Sequence, residues 1–378
     1  MKNKKTRVLL GIVLSFYTLL SFSPVSAYAA VSAGASAEDS KSNLAIQSEE
    51  YAEVLSDNVE VGSRIWELLF GKEKDKSLAL APGGTVFGVR IKQSYVSVAD
   101  AKGIPALSAG DIILSINGTE IKCAEDVKKA VSASGGESVT IRARHKGEDV
   151  GIEVRPTLED GEYKLGLTLR DGAAGIGTIT FVDTETGFFG GLGHGICDGE
   201  TGEVVDMSSG EVTGAILGGV HKGEVGKPGE LTGILTDEKC GTLTSNNECG
   251  VFGYLSKRPD GLKTVRLASR SEVREGEAKI VSTLKNGKSA EYKIEILDIN
   301  RESNGSKSFR IRVTDEALKA ITGGIVRGMS GSPIIQDGKL VGAVTHVMVA
   351  NPTEGYGIFI ENMLNASQTT RNELPRAA

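Results

Sequence analysis

One serine turn and four histidines frame the chemistry open to this chain. Ser330 lies in Gly328-Met329-Ser330-Gly331-Ser332-Pro333, where glycines keep bulky neighbours away from the hydroxyl. Glycine also adopts the φ > 0 angles that aim successive backbone N–H groups into one small space. Such N–H groups are what stabilises an oxyanion. A serine hydroxyl becomes a nucleophile when a base takes its proton, and the base must be oriented by a third group. His145, His194, His221 and His346 are the only histidines. His194 has the special setting, Gly190-Gly191-Leu192-Gly193-His194-Gly195, which leaves its ring accessible and lets another segment approach. His346, on the strand after the serine hairpin, is its rival. For the third group, Asp315 precedes the serine by 15 residues in Val313-Thr314-Asp315-Glu316. By spacing alone it reads as a helix N-cap, and Asp183, Asp198 and Asp237 compete with it.

The cysteines offer other chemistry. Cys197 follows His194 by three residues, yet no glycine turn surrounds it to supply paired N–H groups. Cys240 and Cys249 bracket a Gly/Ser/Asn loop and either form a disulfide in an exported protein or stay reduced. Cys123 reads as a small apolar residue. No Cys-x-x-Cys or histidine pair supports a zinc site, so no metal and no cofactor is expected.

These residues need a scaffold. Residues 333–345 read as strand, Asp-Gly turn, strand, a strong hairpin signal. From 165 to 363 the chain is almost entirely short strand patterns punctuated by glycine, with one helical piece at 316–321 ahead of the serine. Many short strands with regular turns indicate a barrel or sandwich, and about 200 residues suit two six-stranded barrels. Upstream, residues 77–156 form a compact module with strands, an amphipathic helix at 124–131 and a strand at 138–144. The N-terminus has Lys2, Lys4, Lys5 and Arg7, an apolar run over 8–22, and small residues around Ala27 and Ala29. That is the pattern of an export signal; a cleaved signal is the first reading and an uncleaved anchor the second. Residues 30–58 are rich in Ala, Ser and Glu and read as a linker or pro-segment. A net charge of −6 with interspersed signs lacks the basic stripe of a nucleic-acid binder.

Two resemblances follow from particular stretches. Ala109-Gly110-Asp111-Ile112-Ile113-Leu114-Ser115-Ile116-Asn117-Gly118, with the helix after it, resembles a bacterial PDZ domain. The resemblance implies a peptide that adds as a strand beside an apolar-Gly-apolar loop, here Phe87-Gly88-Val89. The stretches 169–181, Gly193-His194-Gly195, 322–333 and Ala343-Val344-Thr345-His346-Val347 resemble the stage IV sporulation protein B (SpoIVB) peptidases, as does the order signal, PDZ, peptidase. That family implies a chymotrypsin-like fold with a triad of His194, Asp315 and Ser330. Within the wider chymotrypsin-like group the N–H groups of Gly328 and Ser330 would form the oxyanion hole. Thr345, His346 and Val347 would pair with the substrate backbone. Met329 departs from trypsin-like enzymes, which carry an aspartate there, so activation by a freed N-terminus is excluded. The short Asp315–Ser330 spacing departs as well, because the acid of the wider group normally lies on the first barrel.

The expected fold is thus mostly β, a chymotrypsin-like double β-barrel preceded by a PDZ-like α+β domain and an N-terminal signal or anchor helix. The expected organisation is signal or anchor 1–29, linker or pro-segment 30–76, PDZ-like domain 77–156, peptidase domain 157–364 and tail 365–378. The resemblance implies a signalling serine endopeptidase acting between forespore and mother-cell membranes. It would cut a membrane-bound regulator of an intramembrane protease, activate a late sigma factor and trim its own N-terminal segment. The alternatives are a broad quality-control protease and a non-catalytic PDZ adaptor.

Overall fold

Runs such as Phe309–Val313 bury every second residue, as a strand does when one face meets a core. The computed structural model describes residues 79–199, 201–285 and 287–372, all within one unit, Val59–Ala378. The expected signal or anchor, the linker and residues 373–378 of the tail lie outside the described residues. Among the described residues no helix is long and apolar enough to cross a membrane.

The described chain begins with β1 (Ala79–Pro82) and β2 (Val86–Asp100). It continues through β3 (Ile112–Ile116), β4 (Thr119–Glu120), helix α1 (Ala124–Ala133), β5 (Val139–His145), β6 (Glu148–Val154), β7 (Thr157–Glu159) and β8 (Glu162–Lys164). Next come β9 (Thr168–Val182), β10 (Phe188–Gly191), β11 (Ser209–His221), β12 (Glu230–Asn247), β13 (Gly250–Leu255) and β14 (Val265–Arg266). The last part holds β15 (Gly276–Lys285), β16 (Lys288–Leu297), β17 (Phe309–Val313), α2 (Glu316–Thr322), β18 (Pro333–Gln336), β19 (Lys339–Met348), β20 (Asn351–Phe359) and α3 (Ile360–Asn372).

Two barrels result, as expected. β9, β10, β13, β12, β11 and β2 pair in that order, and a further β2–β9 pairing closes the ring. β15, β16, β17, β20, β19 and β18 form the second closed barrel. Phe87, Val89, Phe189 and Val251 fill the first; Ile280, Ile294, Ile296 and Ile311 fill the second. A third cluster takes Phe181 and Phe252 from the first barrel, Leu340 and Ile358 from the second, and Met363 from α3. Burying these side chains in one cluster holds the barrels together, at about 1.5–3 kcal/mol per large apolar side chain.

The PDZ-like module is continuous with the first barrel. Residues 86–92 of β2 pair with 172–178 of β9, and after a register shift 97–100 pair with 168–170. The first stretch belongs to the barrel and the second to the module, whose core of Val96, Ile113, Val127 and Ile141 also takes Leu165, Leu167 and Leu169. The boundary expected at 156/157 therefore falls inside the module. A strand of 15 residues carries no mark in its sequence where it passes from one sheet to another. All four cysteines are free. Cys240 sits on β12, whereas Cys249 is buried in the inter-barrel cluster, so the expected Cys240–Cys249 alternative resolves to two thiols.

Candidate active site

After α2 the chain runs irregularly to Ser330 and enters β18. Gly328 and Gly331 take φ angles of 92° and 94°, a region that L side chains rarely adopt. Met329 N donates to Val326 O (3.1 Å), Gly331 N to Val344 O (2.8 Å) and Ser332 N to Met329 O (2.9 Å). The N–H groups of Gly328 and Ser330 are the two left without an acceptor among the described residues. They are the pair expected to hold an oxyanion.

The first barrel pins this turn. Thr178 N donates to Ser330 O at 3.0 Å, and Thr178 Oγ1 donates to Gly328 O at 2.8 Å. Thr180 Oγ1 donates to Gly331 O at 2.8 Å. Both threonines are fully buried. The approach is so close that a Cβ on Gly331 would overlap the Thr178 carbonyl and stand 2.5 Å from Leu192 N. Sequence reasoning missed both threonines, because their partners lie some 150 positions away.

His194 follows β10 through Leu192 and Gly193, both at positive φ. Its Nδ1 lies 2.8 Å from the Gly195 carbonyl oxygen. A carbonyl only accepts, so Nδ1 carries the proton and Nε2 keeps the lone pair that a general base needs. Burial pushes the ring's pKa below its ordinary value, which keeps it neutral near pH 7. His194 and Ser330 line one cavity of about 350 Å³, together with Gly328, Thr345, His346 and Val347. Within it Ser330 Oγ donates to Thr345 O at 2.7 Å and makes no hydrogen bond to His194. Ser330 and His194 thus share a cavity, each hydrogen-bonded to a backbone carbonyl rather than to the other.

His346 packs on His194 with ring centroids 4.8 Å apart, and its buried Nδ1 has no partner. Burial, then the charges of His194 and Lys307, push its pKa down to about 4. Both rings are therefore neutral at pH 7. Thr345, His346 and Val347 leave one edge of β19 unpaired, because β18 pairs only with residues 339–343. A register shift with β20 falls at this point, a kind of irregularity common beside active sites.

One expected assignment is corrected, and another shows its local contacts only. Asp315 is the N-cap of α2: Oδ1 accepts from Leu318 N at 3.0 Å and Oδ2 from Lys293 N at 3.2 Å. It neither bonds to His194 nor lines the cavity. The local cap geometry, legible in the sequence, takes up both carboxylate oxygens. Asp183, Asp198 and Asp237 serve Thr186, Arg170 and Arg90. The His194 ring is instead hydrogen-bonded to the Gly195 carbonyl, a backbone group with no side-chain signal. Phe87, Gly88 and Val89 are not a peptide-binding loop. They pair with β9 on one side, and Gly88 and Val89 pair with β11 on the other, so no edge is left for an incoming strand. Gly88 is required by packing, since a Cβ would meet Thr213 Oγ1 and stand 2.6 Å from Leu235 Cδ2. Cys197 does not line the cavity, and desolvation raises its thiol pKa, the opposite of an activated nucleophile.

A family model described as SpoIVB peptidase S55 matches residues 161–364. No curated protein matches the chain. Among solved structures, the PDZ domain of an SdrC-like protein from Listeria monocytogenes is 26% identical, covers 21% of this chain and 93% of its own, and gives a TM-score of 0.20. The active form of the Rv3671c protease from M. tuberculosis is 12% identical over 55% of this chain and 78% of its own, with a TM-score of 0.32. The HtrA-type protease AlgW with a decapeptide is 13% identical over 58% of this chain and 61% of its own, with a TM-score of 0.34.

Proposed function

The chain belongs to the SpoIVB peptidase S55 family, and from that premise we propose that this serine endopeptidase is a sporulation signalling enzyme. The observation that carries the chemistry is the shared cavity of Ser330, His194 and the unbonded Gly328 N–H. A substrate strand laid beside Thr345, His346 and Val347 takes the Thr345 carbonyl as its acceptor and releases Ser330 Oγ. The freed hydroxyl turns to His194, gives its proton to Nε2 and attacks the peptide carbonyl. The N–H groups of Gly328 and Ser330 hold the tetrahedral oxyanion. The imidazolium, steadied by the Gly195 carbonyl on Nδ1, returns the proton to the departing amine. Water then repeats the sequence on the acyl-enzyme and restores Ser330.

The biological role rests on family membership and on the N-terminal pattern. The protein is exported from the forespore, with residues 8–22 as signal or anchor. It acts in the space between the forespore and mother-cell membranes on a membrane-bound regulator of an intramembrane protease. That cut leads to activation of a late sigma factor, and residues 30–58 are a target for self-cleavage. A fluorophosphonate should label wild type and fail on Ser330→Ala. His194→Ala should lower the labelling rate by about 10³-fold or more. Equal labelling of Ser330→Ala would defeat the chemistry. Purified enzyme should cut the membrane regulator and leave casein intact; broad casein digestion would defeat the signalling role.

A further inference from the structure

The cavity that holds Ser330 has a wall that the reaction leaves unused. Ile325, Val347, Ile176 and Leu192 line it alongside the catalytic groups. Ile325 is only 2% exposed. It lies against Gly355, where a Cβ would stand 2.7 Å from Ile325 Cδ1, so its position is fixed by backbone. Val347 is half-buried on the unpaired edge of β19. No carboxylate lines the cavity. Its one permanently charged residue, Arg327, is exposed and is shared with an adjoining cavity of about 480 Å³.

We propose that this wall receives the side chain of the residue whose carbonyl is attacked and selects aliphatic residues of valine to leucine size, with Ile325 and Val347 determining specificity. The inference rests on the peptidase reading and names the substrate class of the same site. Position supports it, because the wall borders Ser330 and the strand Thr345, His346 and Val347, along which the residues before the cut are laid. Chemistry supports it too. A lysine side chain entering an aliphatic wall loses water and meets no carboxylate, and a glutamate reaches a partner only at Arg327 on the exposed rim, so burying either along the wall is costly. An aromatic ring needs a flat slot, and the branched side chains of Ile325 and Val347 on the wall work against one. Arg327 repels basic residues at the rim.

Aminoalkyl diphenyl phosphonates of valine, phenylalanine, lysine and glutamate test this without a known substrate. Each carries the side chain of one residue on a group that reacts with the serine. On the full chain, the valine reagent should inactivate about 10-fold faster than the other three, the scale on which apolar pockets discriminate. Val347→Gly should raise the phenylalanine-to-valine rate ratio by about 10-fold, and Val347→Ala should raise it by less. The ratio does not depend on how much of each variant is folded. An unchanged ratio overturns the assignment, as does a wild type that prefers phenylalanine or lysine. A preference for glutamate also overturns it and points to Arg327 instead. An alkyl fluorophosphonate without a side chain separates the two levels. If it fails to label Ser330, the peptidase reading fails and takes the pocket with it; if it labels while the four reagents react equally, the pocket alone is wrong.

Discussion

The serine turn and the histidine loop face each other across the two barrels and are held very differently. The turn is tied by Thr178 through two hydrogen bonds and by Thr180 through a third, and Gly331 is packed against the β9 backbone. His194 is set by one bond to the carbonyl of the next residue. The turn's two free N–H groups are already in place for an oxyanion, and such donors stabilise charge without reorganising during the reaction. The proton-transfer half is unfinished, because Ser330 Oγ is bonded to Thr345 O. The half that carries the N–H groups is built rigidly, and the half that transfers the proton is left for substrate to complete.

That contrast can be broken most severely at Gly331. Gly331→Ala places a methyl group into the Thr178 carbonyl at a φ of 94°, so the turn and β9 must separate. Labelling should slow by about 10²-fold or more, the scale expected for an ångström of misplacement, and the melting temperature should fall. Wild-type labelling would show that the turn is not held as described. Thr178→Val is gentler. It leaves the Gly328 carbonyl without the Oγ1 donor and should cost about 1–3 kcal/mol in chemical denaturation. Labelling should slow by about 10-fold, since the oxyanion donors lose one of three ties.

The histidine side is probed by pH. Labelling requires neutral His194, so its rate should fall as pH falls through the pKa of that ring. Burial lowers that pKa from 6.5, which places the acid limb below 6.5. His346 adds no limb near neutrality, because its pKa is about 4. The unfolded chain takes up protons on both rings at higher pH than the folded one, so stability should also decline from about pH 6.5 downward. A labelling limb above 6.5 would contradict the burial of His194.

The contrast also marks what could be read beforehand. That Ser330 and His194 meet at one cavity was legible because each is flanked by glycines, and a close approach of two segments leaves that trace in sequence. Two barrels were legible from the density of short strands and turns. The insertion of the PDZ-like module was not, since β2 and β9 each serve two sheets without a break in pattern. Phe87-Gly88-Val89 misled for a related reason: an apolar-Gly-apolar run suits a buried strand passing Thr213 and Leu235 as well as it suits a peptide-binding loop. At Asp315 the local signal, helix capping, was correct about the contacts made, and the Gly195 carbonyl bonded to His194 leaves no residue signature at all.

The smallest effect belongs to that cap. Asp315 ties the start of α2 to β16 through Lys293 N, and α2 leads directly into the serine turn. Asp315→Ala should cost about 1 kcal/mol and Asp315→Asn should recover most of it, since both Asp and Asn cap well. The Leu318 N–H above all, and the Lys293 N–H after it, hold the carboxyl below its ordinary value of 3.8. A group whose folded pKa is depressed adds stability above its unfolded pKa and loses it as pH falls through the folded one. The difference between wild type and Asp315→Ala in urea midpoints should therefore be full at pH 6 and should shrink below about pH 4. A difference that persisted unchanged at pH 2 would mean that the ionised carboxylate is not what holds the helix to the barrel.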